Sequence, residues 1–453
     1  MHHVLLSGGS GKRLWPISND SRSKQFLKIL KDDNGNVESM VQRVLRQLQL
    51  AGVRDSIYIT APRSQVEIVQ NQISSPISLI VEPNRRDTFP AISLAATYLL
   101  SLGNDPDEVI CVIPVDSYVE NDFFTKVLEL EKVVNETECD IALIGVRPVY
   151  PSEKYGYIVP KESFVQGSYY HGSYFIEKPN EKEAQQLIKE GALWNCGIFA
   201  FKLRYLINLL IQKGISVTYD KLLRQYEQLK RISFDFEVVE FANNIVVLPY
   251  EGEWKDLGSW NTLTEEMSNN IVGNGKISED STNIHLINEL EIPTYVLGVS
   301  DAVVAASPDG ILVSSKRASP RLKDLLDGFE QRPMYEERRW GWYRVLDYTK
   351  LATGIEVLTK RICIYKGRNL SYQFHKKRNE TWKIISGNGI CILNNKEFHV
   401  KAGDVVNIQI GDKHTIKGLT DIEIIEIQMG KELVEEDIIR LFIDWNTIQQ
   451  SIF

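Results

Sequence analysis

Val4-Leu5-Leu6-Ser7-Gly8-Gly9-Ser10-Gly11-Lys12-Arg13-Leu14-Trp15-Pro16 is a short apolar run leading straight into a glycine-rich loop, and Lys24-Gln25-Phe26 follows soon after. Glycines let backbone N–H groups approach phosphate oxygens where a side chain would block them. Arg13 and Lys24 add cationic donors suited to a polyphosphate. A Walker loop requires Ser or Thr after Gly-Lys and an earlier glycine where Leu6 stands; Arg13 follows Lys12 instead. A dinucleotide fingerprint requires a third glycine where Leu14 stands. The loop therefore predicts a nucleoside triphosphate site of neither common type.

Outward from this loop, strand-like and helix-like patterns alternate. Val4 to Leu6, Ser56 to Thr60, Ile77 to Val81, Val109 to Ile113 and Ile141 to Val146 are predicted strands; Met40 to Leu50, Pro90 to Leu102 and Phe123 to Val134 are predicted helices. This alternation predicts an α/β domain over residues 1–265, with a mostly parallel sheet covered on both faces and ligands bound beyond the strand ends. Residues 266–331 predict a small β-rich module, with strands at Ile277 to Ile287, Thr294 to Gly298, Ala302 to Ala306 and Gly310 to Ser314 and a helix near Pro320 to Phe329. Residues 332–453 are nearly all β, with Gly/Asn/Asp turns that predict a small barrel or jelly roll and a last helix near Val434 to Phe442.

The 453 residues exceed one ordinary core, and a formal net charge of −8 speaks against a general nucleic-acid binder. Five scattered cysteines without a C-x-x-C pair fit a reducing cytoplasm. No apolar run approaches the roughly 18 residues needed to span a bilayer, and no export signal precedes the first strand. A cytoplasmic protein without membrane or nucleic-acid partners is expected.

Further constellations carry chemistry. Val81-Glu82-Pro83-Asn84-Arg85-Arg86-Asp87-Thr88-Phe89-Pro90 leads from a strand into a helix, so Asp87 or Thr88 serves either as its cap or, for Asp87, as a bidentate acceptor for the two N–H donors of guanine. Asp116 and Asp256 each follow an apolar run; a hard cation such as Mg²⁺ takes one or two carboxylates plus phosphate oxygens. Tyr155-Gly156-Tyr157-Ile158 and Glu177-Lys178-Pro179 flank a predicted hairpin, and Trp194-Asn195-Cys196-Gly197 follows. Gly156, Glu177 and Asn195 are groups that hydrogen-bond sugar hydroxyls, and Lys178 suits a sugar phosphate.

In this order the motifs GGSGKRLWP, KQF, EPNRRDTFPAI, PVD, YGYI, FIEKP, WNCGIF and EWKDLGSW resemble the bacterial mannose-1-phosphate guanylyltransferases. The long form of that family ends in a cupin, in many members a phosphomannose isomerase, and Gln373-Phe374-His375 with Arg378-Asn379-Glu380-Thr381-Trp382 fits that part. The resemblance implies that mannose 1-phosphate attacks the α-phosphate of GTP, giving GDP-mannose and pyrophosphate. It implies Arg13, Lys24, Asp116 and Asp256 as catalytic residues, with Mg²⁺ on the two aspartates. It implies Leu6, Gly8, Gly9, Gly11, Lys12, Glu82, Arg86, Asp87 and Thr88 around the nucleotide, and Gly156, Glu177, Lys178 and Asn195 around the sugar phosphate. A homodimer is expected. The family has Thr at Lys12, Pro at Ser23, Gly-Arg-Asn at Arg85-Arg86-Asp87 and His at Ser117, so another sugar 1-phosphate (a manno-heptose or glucose), another triphosphate, or a sugar-nucleotide binder without turnover are the alternatives.

In the cupin, Gln373, His375, Glu380 and His414 match the family's metal ligands and suit Zn²⁺ or a related divalent ion. The family's histidines at Lys376, Lys377 and Thr381 are replaced, and its closing arginine motif reads Asp444-Trp445-Asn446-Thr447. Loss of those groups predicts a structural cupin with little or no isomerase activity.

Overall fold

The computed structural model of the chain describes residues 1–9, 12–73, 75–165, 169–329 and 331–452, and the fold follows the predicted alternation. Strands β1 (His2–Leu6), β2 (Ile57–Pro62), β3 (Ser78–Glu82), β4 (Val109–Pro114), β5 (Ile141–Val146), β6 (Gly156–Val165), β7 (Tyr169–Glu177), β8 (Leu193–Lys202) and β9 (Ile245–Tyr250) form one sheet in the order β3-β2-β1-β4-β8-β5-β9-β7-β6. β1 lies parallel to β2 and β4, β2 to β3 and β5 to β9, whereas β8 is antiparallel to β4 and β5 and β7 is antiparallel to β9 and β6, so the sheet is mixed and not mostly parallel as expected. Successive residues of one strand serve opposite cores, as the two-residue period requires. Leu5 and Ile113 pack with helices α1 (Met40–Leu50), α2 (Val66–Gln72) and α4 (Phe123–Thr137). Val4 and Val112 pack with α3 (Thr88–Ser101) and α5 (Leu203–Gln212).

The β module is a four-stranded sheet of β10 (Ile271–Gly273), β11 (His285–Asn288), β12 (Ala302–Ser307) and β13 (Gly310–Ser315), with a separate parallel pair at Gly275–Ile277 and Thr294–Val296. The single strand predicted for Ile277 to Ile287 is thus two strands, split by the turn-forming run Ser278-Glu279-Asp280-Ser281-Thr282-Asn283, where Asn283 takes a left-handed φ of 52°. The helix near Pro320 to Phe329 shrinks to one turn at Leu322–Leu325 after a 3₁₀ turn.

This module is welded to the first sheet by a core containing Leu14, Ile17, Leu257, Trp260, Ile287 and Val303. Trp260 is fully buried and its indole donates to the Trp15 carbonyl at 3.1 Å. Gly310 (φ 153°) lets the Trp15 ring approach, since a Cβ there would stand 2.4 Å from it.

The C-terminal part packs two sheets around one core that includes Leu358, Trp382, Ile384 and Ile416. One sheet holds β14 (Tyr335–Arg338), β15 (Gly341–Lys350), β16 (Glu356–Ile364), β18 (Arg378–Ser386), β21 (Val405–Ile408) and β23 (Ile422–Gly430). The other holds β17 (Tyr372–His375), β19 (Asn388–Leu393), β20 (Lys396–Lys401), β22 (His414–Gly418) and β24 (Ile438–Phe442). β24 occupies the region predicted as the last helix: its Ile438-Ile439 stretch pairs antiparallel with β17, and ladder pairing wins over a short helical pattern. The terminal helix comes later, at Trp445–Ile452, where Asp444 accepts from the Thr447 amide at 2.9 Å. All five cysteines are free and buried, and no helix among the described residues is long and apolar enough to cross a membrane.

Trp260→Ala should destabilise the chain by about 3–5 kcal/mol, the usual loss for a large buried aromatic. Chemical denaturation measures this; a loss below about 1 kcal/mol would mean that the Trp15–Trp260 contact does not join module to sheet.

Candidate active site

Beyond the carboxyl end of β4, Asp116 precedes a short strand Ser117–Val119 that pairs antiparallel with Trp254–Asp256. That register sets Asp256 opposite Ser117 and so brings two aspartates 140 positions apart in sequence to one place. Lys24 lies between them, its Nζ 2.9 Å from Asp116 Oδ2 and 3.2 Å from Asp256 Oδ1. Burial works against the lysine's charge, but the two carboxylates outweigh it and raise its pKa. Burial likewise pushes the Asp116 pKa up, and Lys24 more than reverses this. Arg13 lies near enough to Tyr155 for its charge to act on that hydroxyl.

A cavity of roughly 230 Å³ opens beside this triad. Leu6, Gly8, Gly9 and Asp116 line one side of it; Glu82, Arg86, Asp87 and Thr88 line the other. Gln25 donates to the Ser7 carbonyl at 3.0 Å and holds the loop's start. Gly11 lies outside the described residues. Lys12 is placed elsewhere, in a neighbouring cavity with Trp15, Asn19, Asp309 and Phe329. Asp87 caps α3, accepting from the Thr88 amide at 2.8 Å, with a left-handed φ of 71°. Capping holds, and the side chain remains exposed at the cavity. Arg86 is committed to the Leu229 carbonyl at 3.0 Å. Glu82 is buried at the cavity wall and accepts from the Tyr226 hydroxyl at 2.6 Å. Burial raises its pKa to about 7 despite that bond and the nearby Arg85.

The predicted hairpin is β6–β7, and it brings Gly156 opposite Glu177. A Cβ at Gly156 would stand 2.5 Å from both Glu177 Oε2 and Phe175 Cζ, so only glycine fits. Lys178 ion-pairs with Glu177 and its ammonium lies 5.5 Å from the Phe236 ring centroid. Asn195 donates to Asp235 Oδ1 at 2.8 Å and accepts from the Gly197 amide at 2.9 Å, which fixes its amide plane. Burial raises the pKa of Glu177, with Asp235 adding to it, and burial also raises that of Asp235. Asp235 and Tyr226 carry no motif and were not anticipated from sequence. Thr88 ties the two pockets together, its hydroxyl accepting from the Phe234 amide at 2.7 Å.

In the C-terminal barrel, ligand atoms of His375, Glu380 and His414 all lie within 4.8 Å of one another, and all three residues are buried. His375 Nδ1 faces the Asp437 carbonyl at 3.4 Å and His414 Nδ1 the Asp412 carbonyl at 2.9 Å. These contacts turn both Nε2 atoms onto Glu380, that of His375 at 3.1 Å from Oε1 and that of His414 at 3.7 Å from Oε2. Two imidazole nitrogens and a carboxylate converging in a buried site fit a divalent ion. Gln373 pairs with His414 across β17–β22 and lines the same cavity as Glu380, but its Oε1 accepts from Ser371 at 2.6 Å.

Residues 2–271 match the nucleotidyl transferase family and residues 330–442 the mannose-6-phosphate isomerase C-terminal family. A Vibrio cholerae protein assigned to the mannose-1-phosphate guanylyltransferases is 30% identical over 96% of this chain and 98% of its own. The chain belongs to the nucleotidyl transferase family. Within it, RfbM of Salmonella typhimurium, a mannose-1-phosphate guanylyltransferase, is 28% identical over 97% of this chain and 96% of its own. A Thermus thermophilus crystal structure, named a mannose-1-phosphate geranyltransferase, superposes with a TM-score of 0.61 at 26% identity, covering 73% of this chain and 99% of its own.

Against this nucleotidyl transferase frame, two of the replaced barrel positions acquire a different meaning. Thr381 lies on the outer face of β18 with its hydroxyl 3.2 Å from Asn407, and Lys377 reaches out to Glu432. Neither strips the cavity, which keeps Lys360, Arg378, Glu380 and Glu426. The expectation of a purely structural barrel therefore loses its argument from Lys377 and Thr381.

The raised pKa of Glu82 makes a prediction for stability. The folded transferase holds this proton more tightly than the unfolded chain does, so the contribution is complete below about pH 4.5 and is lost as pH rises through about 7. Glu82→Gln should accordingly gain on wild type between pH 5 and 8, by on the order of 2–3 kcal/mol at the upper end. Unfolding midpoints for both proteins across that range test it; a pH-independent difference would place Glu82 in a wetter site.

Proposed function

We propose that this transferase moves GMP from GTP to mannose 1-phosphate, giving GDP-mannose and pyrophosphate. The observation that carries the reading is the Lys24-Asp116-Asp256 cluster at the mouth of the nucleotide cavity. A sugar-phosphate oxygen forms the new bond to the α-phosphorus as the bond to the bridging oxygen of pyrophosphate breaks. The nucleophile is already anionic, so no general base is needed; alignment and charge neutralisation supply the rate.

Two carboxylates already converging on a cation form an all-oxygen donor set, and this fits a hard divalent ion. Asp116 and Asp256 would hold Mg²⁺, which when bound neutralises phosphate charge. Lys24 and Arg13 would supply cationic donors to the polyphosphate, with the amides of Gly8 and Gly9 behind them. Leu6 floors the cavity and Thr88 anchors its wall. Glu82 and Asp87 supply acceptors for the two N–H donors of guanine, and this ranks GTP above other triphosphates. Glu177, Asn195 and Asp235 receive sugar hydroxyls beside the Gly156 backbone, and Lys178 takes the sugar phosphate. The chain divides near residues 265 and 331 into transferase, β module and cupin, and it works as a cytoplasmic homodimer.

A second activity, isomerisation of a sugar phosphate in the cupin, is favoured by one observation: the cavity keeps charged groups beside the ion-binding trio. His375, Glu380 and His414 would hold Zn²⁺ or a related ion, with Gln373 as a further ligand. With the closing arginine motif replaced, little or no activity is expected; robust metal-dependent conversion of fructose 6-phosphate to mannose 6-phosphate by the full chain would overturn that expectation and establish the second activity.

The reading is tested by pyrophosphate release across a grid of nucleoside triphosphates and sugar 1-phosphates. GTP with mannose 1-phosphate should be the best pair and should require a divalent ion. Better turnover with another triphosphate would sink the guanine assignment. Asp116→Asn and Asp256→Asn should each lower kcat by on the order of 10²–10³, far more than they weaken GTP binding. Lys178→Ala should raise chiefly the KM for sugar 1-phosphate; a rise confined to GTP would reverse the two sides.

A further inference from the structure

Lys24 stands at the end of a segment that the transferase does not hold by itself. Arg22, buried and two residues earlier, donates through Nη1 to both oxygens of Glu289 in the β module, at 2.9 Å each. Its Nε lies 3.7 Å from Glu337 on β14, and its guanidinium sits 5.1 Å from the centroid of the Tyr335 ring. Ser21 donates to Glu336 Oε1 at 2.7 Å, and Asn19 donates to Asp309 at 2.8 Å. Asn19 also closes the segment on itself, accepting from the Arg22 amide at 2.7 Å. Asn19, Ser21 and Arg22 thus bond to the module or to the first strand of the cupin, while Asp20 accepts from Arg85 of the transferase at 3.2 Å.

We propose that Arg22 is a positioning residue for the transferase reaction: gripped by Glu289, Glu337 and Tyr335, it sets the backbone from which Lys24 reaches the reacting phosphates. The cupin's first strand is then a working part of the transferase site. The inference rests on the role given above to Lys24. A lysine ammonium ends a flexible four-carbon stem, so its placement at a transition state depends on where its backbone is fixed. A displacement of about 1 Å can cost on the order of 10²-fold in rate. Arg22 forms no wall of the nucleotide cavity, so its loss should act on kcat and leave binding alone.

The test is steady-state kinetics of the full chain with Arg22→Met, Arg22→Lys and Glu289→Gln, each alone and combined with Lys24→Met. Arg22→Met should lower kcat about 10- to 100-fold, with the KM for each substrate changed less than about threefold. Arg22→Lys, which keeps the charge, should recover part of the loss. In the Lys24→Met background Arg22→Met should cost less than about twofold, because the group it positions is gone. An equal loss in both backgrounds, or wild-type kcat in Arg22→Met, overturns the proposal. If Arg22→Met does not fold, Glu289→Gln, which removes the charge that grips Arg22, is judged by the same two criteria. Lys24→Met with wild-type kcat would instead overturn the role of Lys24 itself.

Discussion

One ammonium between two carboxylates organises the transferase half of this chain. Asp116 and Asp256, 140 positions apart in sequence, are partly exposed carboxylates that repel one another, and Lys24 lies within 3.2 Å of both. Its ammonium offsets that repulsion and keeps both side chains aimed at one point. The same arrangement places a third charge where a polyphosphate must arrive. An enzyme that joins two anions needs charge neutralisation more than it needs a base, and because one ammonium and two carboxylates sum to −1, that neutralisation calls for a further cation beside Lys24. The flanking pockets are arranged around it: glycine backbone and a buried glutamate on the nucleotide side, and a carboxylate-amide set on the sugar side.

That point is also where the three parts of the chain meet. The signature loop packs on the module through Leu14, Trp15 and Trp260, and the segment that follows is gripped by Glu289 and β14. Module and barrel are therefore not appendages joined by a flexible linker. The barrel carries a second preorganised centre of its own, in which backbone carbonyls aim two histidines at a buried glutamate. Glu336 belongs to both neighbourhoods, since one oxygen takes the Ser21 hydroxyl while the other pairs with Arg338 at the barrel cavity.

Much of this was legible in the sequence because local chemistry decides it. The strand-to-loop transition at Leu6, the hairpin between Gly156 and Glu177, and aspartates after apolar runs are short-range signals that survive folding unchanged. The cluster of His375, Glu380 and His414 in the barrel was legible through residue type. The illegible features depend on distant partners. Ile438-Ile439 reads equally as helix or strand until β17 lies beside it. Asp235 looks like an ordinary polar residue between two phenylalanines, and only the fold sets it on Asn195. Tyr226 and Arg22 meet Glu82 and Glu289 across 144 and 267 positions, separations that no periodicity can report. Lys12, whose place in the motif suggested phosphate, lines a cavity beside the module with Asp309 and Phe329 and is not among the residues lining the nucleotide cavity.

The central claim is that Lys24 holds the place of a divalent ion and is handed to the phosphates when substrate arrives. A crystal structure of the full chain with Mg²⁺ and a non-hydrolysable GTP analogue tests this directly. The account predicts an ion ligated by Asp116 and Asp256 at about 2.1 Å, with Lys24 Nζ moved off both carboxylates and onto a phosphate oxygen. Lys24 still bridging the two aspartates, with the ion bound elsewhere, would contradict it.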